Sequence, residues 1–162
     1  MSKPEVFVGT DAFGQPIVAP EIVKSAIYIE DIKVPDHGNF WGYVIETTRQ
    51  TIRIAISSEG RCCESFGCLF KRGASDMADR KRLDPADEVK ILSEMVGKTV
   101  RFVGWGASKS LDDGYYYKNS QEIIIETVDG SVYQCLLWND HNGYYSHSIL
   151  LEHNAKRDIQ QL

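Results

Sequence analysis

The chain has 162 residues, 43% apolar and 25% charged, with a formal net charge of −5. That length fits one domain with a core large enough to fold alone. The acidic balance excludes the broad basic surface that duplex nucleic acid requires, and no apolar run approaches the roughly 20 residues of a membrane span.

Residues 1–20 hold three of the five prolines and no periodicity, and they read as an irregular N-terminal arm. The arm has a lone Lys3 and no apolar h-region, so it is not a signal peptide, and a cytoplasmic location is expected. Residues 25–34, "SAIYIEDIKV", are the first strand. Ile27 and Ile29 share one face while Ile32 and Val34 fall in the opposite phase, so a bulge near Glu30 and Asp31 is needed. After the turn cluster "PDHGN", residues 40–48 and 51–57 form a hairpin about the polar link Arg49 and Gln50. Its second strand alternates cleanly through Ile52, Ile54 and Ile56. "CCESFGCLF" continues into a further short strand.

Residues 71–84 are basic and without an apolar pattern, as in an exposed loop. Next comes a helix. Asp84 caps it, Pro85 suits its first position, and Asp87 and Glu88 complement the dipole of its first turn. Val89, Leu92, Met95 and Val96 give it an apolar face, and Gly97 ends it. Residues 98–108 read as a strand and 109–119 as a polar loop with three consecutive tyrosines. The last block has strands at 121–127, 131–139 and 144–151, with turns at "VDG" and at 141–143, and then a polar tail at 153–162. The fold class is α+β in a single domain, mainly an antiparallel β-sheet with one principal helix packed on it.

The two β blocks resemble each other. Ile45-Glu46-Thr47 matches Ile125-Glu126-Thr127, Thr51-Ile52 matches Ser131-Val132, and Ile56 matches Leu136, at a constant shift of about eighty residues. With a small slip, "CCES" at 62–65 falls beside "YYSH" at 144–147. A repeat would make these motifs equivalent corners of two related hairpin units.

Residue chemistry narrows the function classes. Cys63 and Cys68, with His141 and His147, have spacings a zinc site tolerates. However, neighbouring cysteines on a strand point to opposite faces, so Cys62 and Cys63 do not share a metal, and free thiols with no metal and no cofactor are expected. Ser65, Ser146, His147 and Glu64 are acyl-transfer ingredients, but no Gly-x-Ser-x-Gly elbow, P-loop or Gly-x-Gly-x-x-Gly presents them. The chain therefore reads as a binding protein rather than an enzyme. Trp138, Tyr144 and Tyr145 offer flat faces for a base, Arg53 and Arg61 offer forks for phosphate, and Asn142 offers a donor and an acceptor. Asn142-Gly143 is equally a strong hairpin turn. Cys62, Glu64 and His147 complete the candidate ligand-binding set at the two corners.

The Cys-Cys-Glu motif after an "IET…QTI" strand, a helix ending in Val-Gly and the "NGYYSH" turn resemble a widespread family of small, mostly uncharacterised phage and bacterial proteins. More loosely, residues 25–152 resemble the Thoeris anti-defence sponges of phages. Those are compact α+β proteins that bind cyclic ADP-ribose-type signals, in some cases cyclic oligonucleotides, without cleaving them. The resemblance implies a phage-encoded anti-defence protein acting in the host cytoplasm. It also implies a small anionic nucleotide ligand and, with the repeat, a homo-oligomer. No arginine lies between Gln121 and Lys156, so the sponges' ligand arginine has no counterpart in the last strands. The alternative is a phage accessory protein that inhibits a host protein by direct binding.

Overall fold

A computed structural model of the chain describes residues 7–10, 12–60, 65–73, 84–112, 114–115, 117–142 and 146–162. In chain order the elements are β1 (Phe7–Thr10), β2 (Pro16–Val18), β3 (Val23–Val34), β4 (Gly38–Thr47), β5 (Thr51–Ser57), β6 (Ser65–Arg72), α1 (Pro85–Glu94), β7 (Val100–Asp112), β8 (Tyr117–Thr127), β9 (Val132–His141), β10 (Ser148–His153) and β11 (Lys156–Gln161). Two antiparallel sheets result, ordered β11-β10-β5-β4-β3 and β6-β9-β8-β7, with a separate β1-β2 hairpin.

Period-two alternation decides how the sheets meet. Ile52, Ile54 and Ile56 of β5 share one buried cluster with Ile123 and Ile125 of β8 and with Tyr133, Cys135 and Leu137 of β9. The sheets thus lie face to face as a sandwich. The opposite phase of the five-stranded sheet is buried too: Ile32, Val34, Phe40, Val44, Ala55 and Leu150 form a second cluster. The bulge needed in the first strand is present, because the β3–β4 register shifts between Ile29 and Ile32.

The sandwich is a duplication with exchanged strands. β3-β4-β5-β6 and β7-β8-β9-β10 repeat one topology, but β6 pairs with β9 and β10 pairs with β5, so each unit completes the other's sheet. Both units carry a register shift at the start of their first strand, between Val23 and Ser25 and between Val100 and Phe102. The units meet about an approximate two-fold axis. At one end Ile22 bridges Thr99. There Val23 N–H donates to Lys98 O at 2.9 Å, and Val100 N–H donates to Glu21 O at 2.8 Å.

The structure corrects four expectations. The repeat alignment slips by one residue after the first hairpin turn: Ile52, Ile54 and Ile56 correspond to Tyr133, Cys135 and Leu137, which share their core-facing phase. The cause is turn length, three residues at 48–50 and four at 128–131. The helix is short rather than principal. It spans ten residues, with only Glu88 and Leu92 buried along it. The two sheets already cover each other's faces, so α1 packs mainly on β3 and β6, Val89 and Val96 stay exposed, and Met95 just beyond the helix is buried. Glu88 is buried because Tyr43 Oη donates to its Oε1 at 2.9 Å, which ties the helix to β4. The segment 109–119 is mostly hairpin rather than loop, since Ser108 to Asp112 pair with Gln121 to Tyr117. The polar tail forms β11, which pairs along the whole of β10.

Candidate functional site

The outer face of the five-stranded sheet carries one transverse row of side chains, Val44, Arg53, Glu152 and Arg157, contributed by β4, β5, β10 and β11. Residues opposite one another in neighbouring strands lie about 5 Å apart. The two arginines therefore flank a single carboxylate. Arg53 Nη1 is 3.6 Å from Glu152 Oε1, and Arg157 Nη2 is 3.5 Å from Glu152 Oε2. Both separations exceed the roughly 2.7–2.9 Å of a made charge-assisted hydrogen bond.

Around this row lies a cavity of about 370 Å³, lined also by Arg49, His153 and Lys156. Four cations and one carboxylate line it, and among the described residues neither Arg49 nor Lys156 has an ion-pair partner. In a chain of net charge −5 such a local excess of cations concentrates field on anions. Burial holds the His153 imidazole below its ordinary value; Lys156 also lowers it, while Glu21 and Asp158 oppose the shift. It presents a neutral ring beside the cations near pH 7.

Hydrogen bonds join the two turns beside the cavity. Gln50 Nε2 donates to Glu21 Oε1 at 2.6 Å and to Asn154 Oδ1 at 3.2 Å, and Asn154 N–H donates back to Gln50 Oε1. Asn154 and Ala155 both adopt left-handed backbone, φ 51° and 55°, which fits the two-residue turn joining β10 to β11. Ala155 is a non-glycine residue held there against its preference, beside the cavity.

Of the residues expected from sequence, Arg53 lies in this cavity. Trp138 does not join it. It follows core-facing Leu137 on β9 and so points outward from the four-stranded sheet, on the far side of the sandwich from Arg53. Its ring fills the space above Gly67, where a Cβ would come within 2.5 Å of Trp138 Cη2. His147 is buried between the sheets, with Nδ1 3.2 Å from the Ser57 carbonyl oxygen, which requires Nδ1 to carry the proton. Ser146 is exposed, and its hydroxyl donates to Gln161. Asn142 is half-buried just after β9. Arg61, Cys62, Glu64, Tyr144 and Tyr145 lie outside the described residues.

Sequence reading missed Arg49, His153, Lys156 and Arg157. The available signal was "HNAKR" after the last strand, where positive charge follows a possible turn. Cys68 and Cys135 are buried and in no disulfide, and burial pushes the thiol of Cys135 well up. Among the described residues no three His, Cys, Asp or Glu side chains converge on a metal position. No helix among them is long and apolar enough to cross a membrane.

Residues 21–151 match the family described as a domain of unknown function, DUF7448, and the chain belongs to that family. No curated protein and no solved structure matches it.

Proposed function

We propose that this DUF7448 member is a non-enzymatic protein that sequesters a small phosphate-bearing ligand in the cavity between the β4–β5 and β10–β11 turns. One observation carries the reading: Arg49, Arg53, Lys156 and Arg157 line one cavity with a single carboxylate, Glu152, in an otherwise acidic chain. Guanidinium forks suit phosphoryl oxygens, and the volume lies at the small end of the roughly 300–1,000 Å³ typical of ligand clefts. That size suits one phosphorylated sugar or nucleotide unit, with the remainder of a larger ligand outside. The resemblance to phage sponges makes a cyclic nucleotide-type immune signal of the host the biological candidate, and anti-defence the role.

A second reading has its own support. β7 is a sheet edge whose residues 107–112 are all exposed, with Leu111 and Phe102 among the exposed apolar side chains. Such an edge suits strand addition by a host protein that the chain would inhibit.

The deciding experiment mixes the purified protein with cyclic ADP-ribose-type and cyclic dinucleotide signals, removes free ligand, and heats the complex. A sponge returns the ligand intact, an enzyme returns a product, and a protein that captures none of them favours the host-protein reading.

A further inference from the structure

We infer that Glu152 is a built-in competitor for the ligand: its carboxylate occupies the seat of one anionic group between Arg53 and Arg157, so the cavity selects ligands with two or more such groups. The inference rests on the anion-binding reading above and adds what sets its selectivity.

The geometry supports a temporary seat rather than a structural ion pair. A structural Arg–carboxylate pair closes to hydrogen-bond distance, as Arg72 does on Glu94, where Nε to Oε2 is 3.0 Å and Nη2 to Oε1 is 2.5 Å. Glu152 instead sits 3.6 and 3.5 Å from its two arginines and makes no hydrogen bond to either. Both guanidiniums remain accessible, with side-chain exposures of 41% and 39%, while Glu152 is 19% exposed beneath them. Strand register fixes the backbone of the row, so the carboxylate leaves the two guanidiniums only by rotation of the Glu152 side chain. An incoming anion must either lie above it or turn it aside.

That arrangement sets a threshold. An anion with a single such group gains little, because it meets two arginines already half-satisfied by Glu152. A diphosphate-type ligand places one group over the Arg53–Arg157 pair and another against Arg49 and Lys156, which have no partner among the described residues. The recognised class is a compact phosphoryl polyanion, and the shared chemistry is that of pyrophosphate.

The test is calorimetric titration of the full chain with inorganic pyrophosphate, orthophosphate and sulfate, for the parent, E152Q and E152D, each checked for folding by thermal melting. E152Q should bind orthophosphate about three- to tenfold more tightly and narrow the preference for pyrophosphate, as expected for release of two partly exposed ion pairs. E152D keeps the charge but draws the carboxylate back by one methylene, so it should also gain affinity. A gain in E152Q without one in E152D would reduce the effect to net charge and overturn the competing seat. Equal or weaker binding by both variants overturns it outright. If neither parent nor E152Q binds any of the three anions, the anion-binding reading falls as well. If the parent binds pyrophosphate and the variants do not change it, that reading stands and only the inference is lost.

Discussion

The ring of Phe66 stacks on the imidazole of His147, centroids 3.9 Å apart and planes inclined by 26°. Each precedes the core-facing phase of an exchanged strand, Cys68 and Phe70 in β6 and Ile149 and Leu151 in β10. The pair therefore joins equivalent positions of the two units and closes the end of the sandwich opposite the Ile22–Thr99 bridge. His147→Ala should cost about 2–4 kcal/mol by denaturant unfolding, and His147→Phe less, because an aromatic face is retained. Folded His147→Ala should keep its affinity for pyrophosphate. A loss of binding at unchanged stability would assign His147 to the ligand after all.

Arg53 and Arg157 are expected to carry most of the anion affinity. Replacing either by Ala should weaken pyrophosphate binding about ten- to hundredfold, the worth of a charge-assisted hydrogen bond. Arg101→Ala, which breaks an exposed pair with Glu126 on the other sheet, should leave it unchanged. Equal losses in all three would indicate non-specific attraction to net charge.

Two glycines in strands predict opposite outcomes. A Cβ on Gly42 would lie 2.1 Å from the Ile54 carbonyl oxygen and 2.7 Å from Ala55 Cα, both backbone atoms of β5. Gly42→Ala should therefore lose at least about 3 kcal/mol or fail to fold. The atoms nearest to a Cβ on Gly67 all belong to the ring of half-buried Trp138, which can swing outward. Gly67→Ala should cost about 1 kcal/mol and shift tryptophan emission to the red. Chemical denaturation followed by fluorescence separates the two.

The depressed titration of His153 gives a pH dependence with a definite sign. Its folded form resists protonation, so its contribution to stability is complete above the ordinary value of 6.5 and is lost as pH falls below it. A bound dianion reverses the balance, favouring the protonated ring beside Lys156. Sulfate, which does not itself titrate in this range, should bind more tightly at pH 5.5 than at 7.5 and with proton uptake. Titrations in buffers of different ionisation enthalpy measure that uptake. His153→Gln should abolish it.

Local pattern was enough for the strands that face the core. The alternation of Ile52, Ile54 and Ile56 admits one reading, and the phase change after Ile29 required the bulge that β3 contains. The matching Ile-Glu-Thr segments announced a duplication, since each half must present the same faces to bury the same core. Long-range pairing decided the rest. The segment 156–161 is polar and lacks alternation, and it is a strand because the free edge of β10 offers backbone partners that no local composition encodes. The length of one turn set which residues of the second hairpin face inward, because a single extra residue reverses every side chain beyond it. Arg53 could be singled out as a cation on a strand. Its meeting with Arg49, Glu152, Lys156 and Arg157 exists only because β10 of the second unit pairs with β5 of the first and carries β11 with it, bringing residues about a hundred positions apart to one cavity.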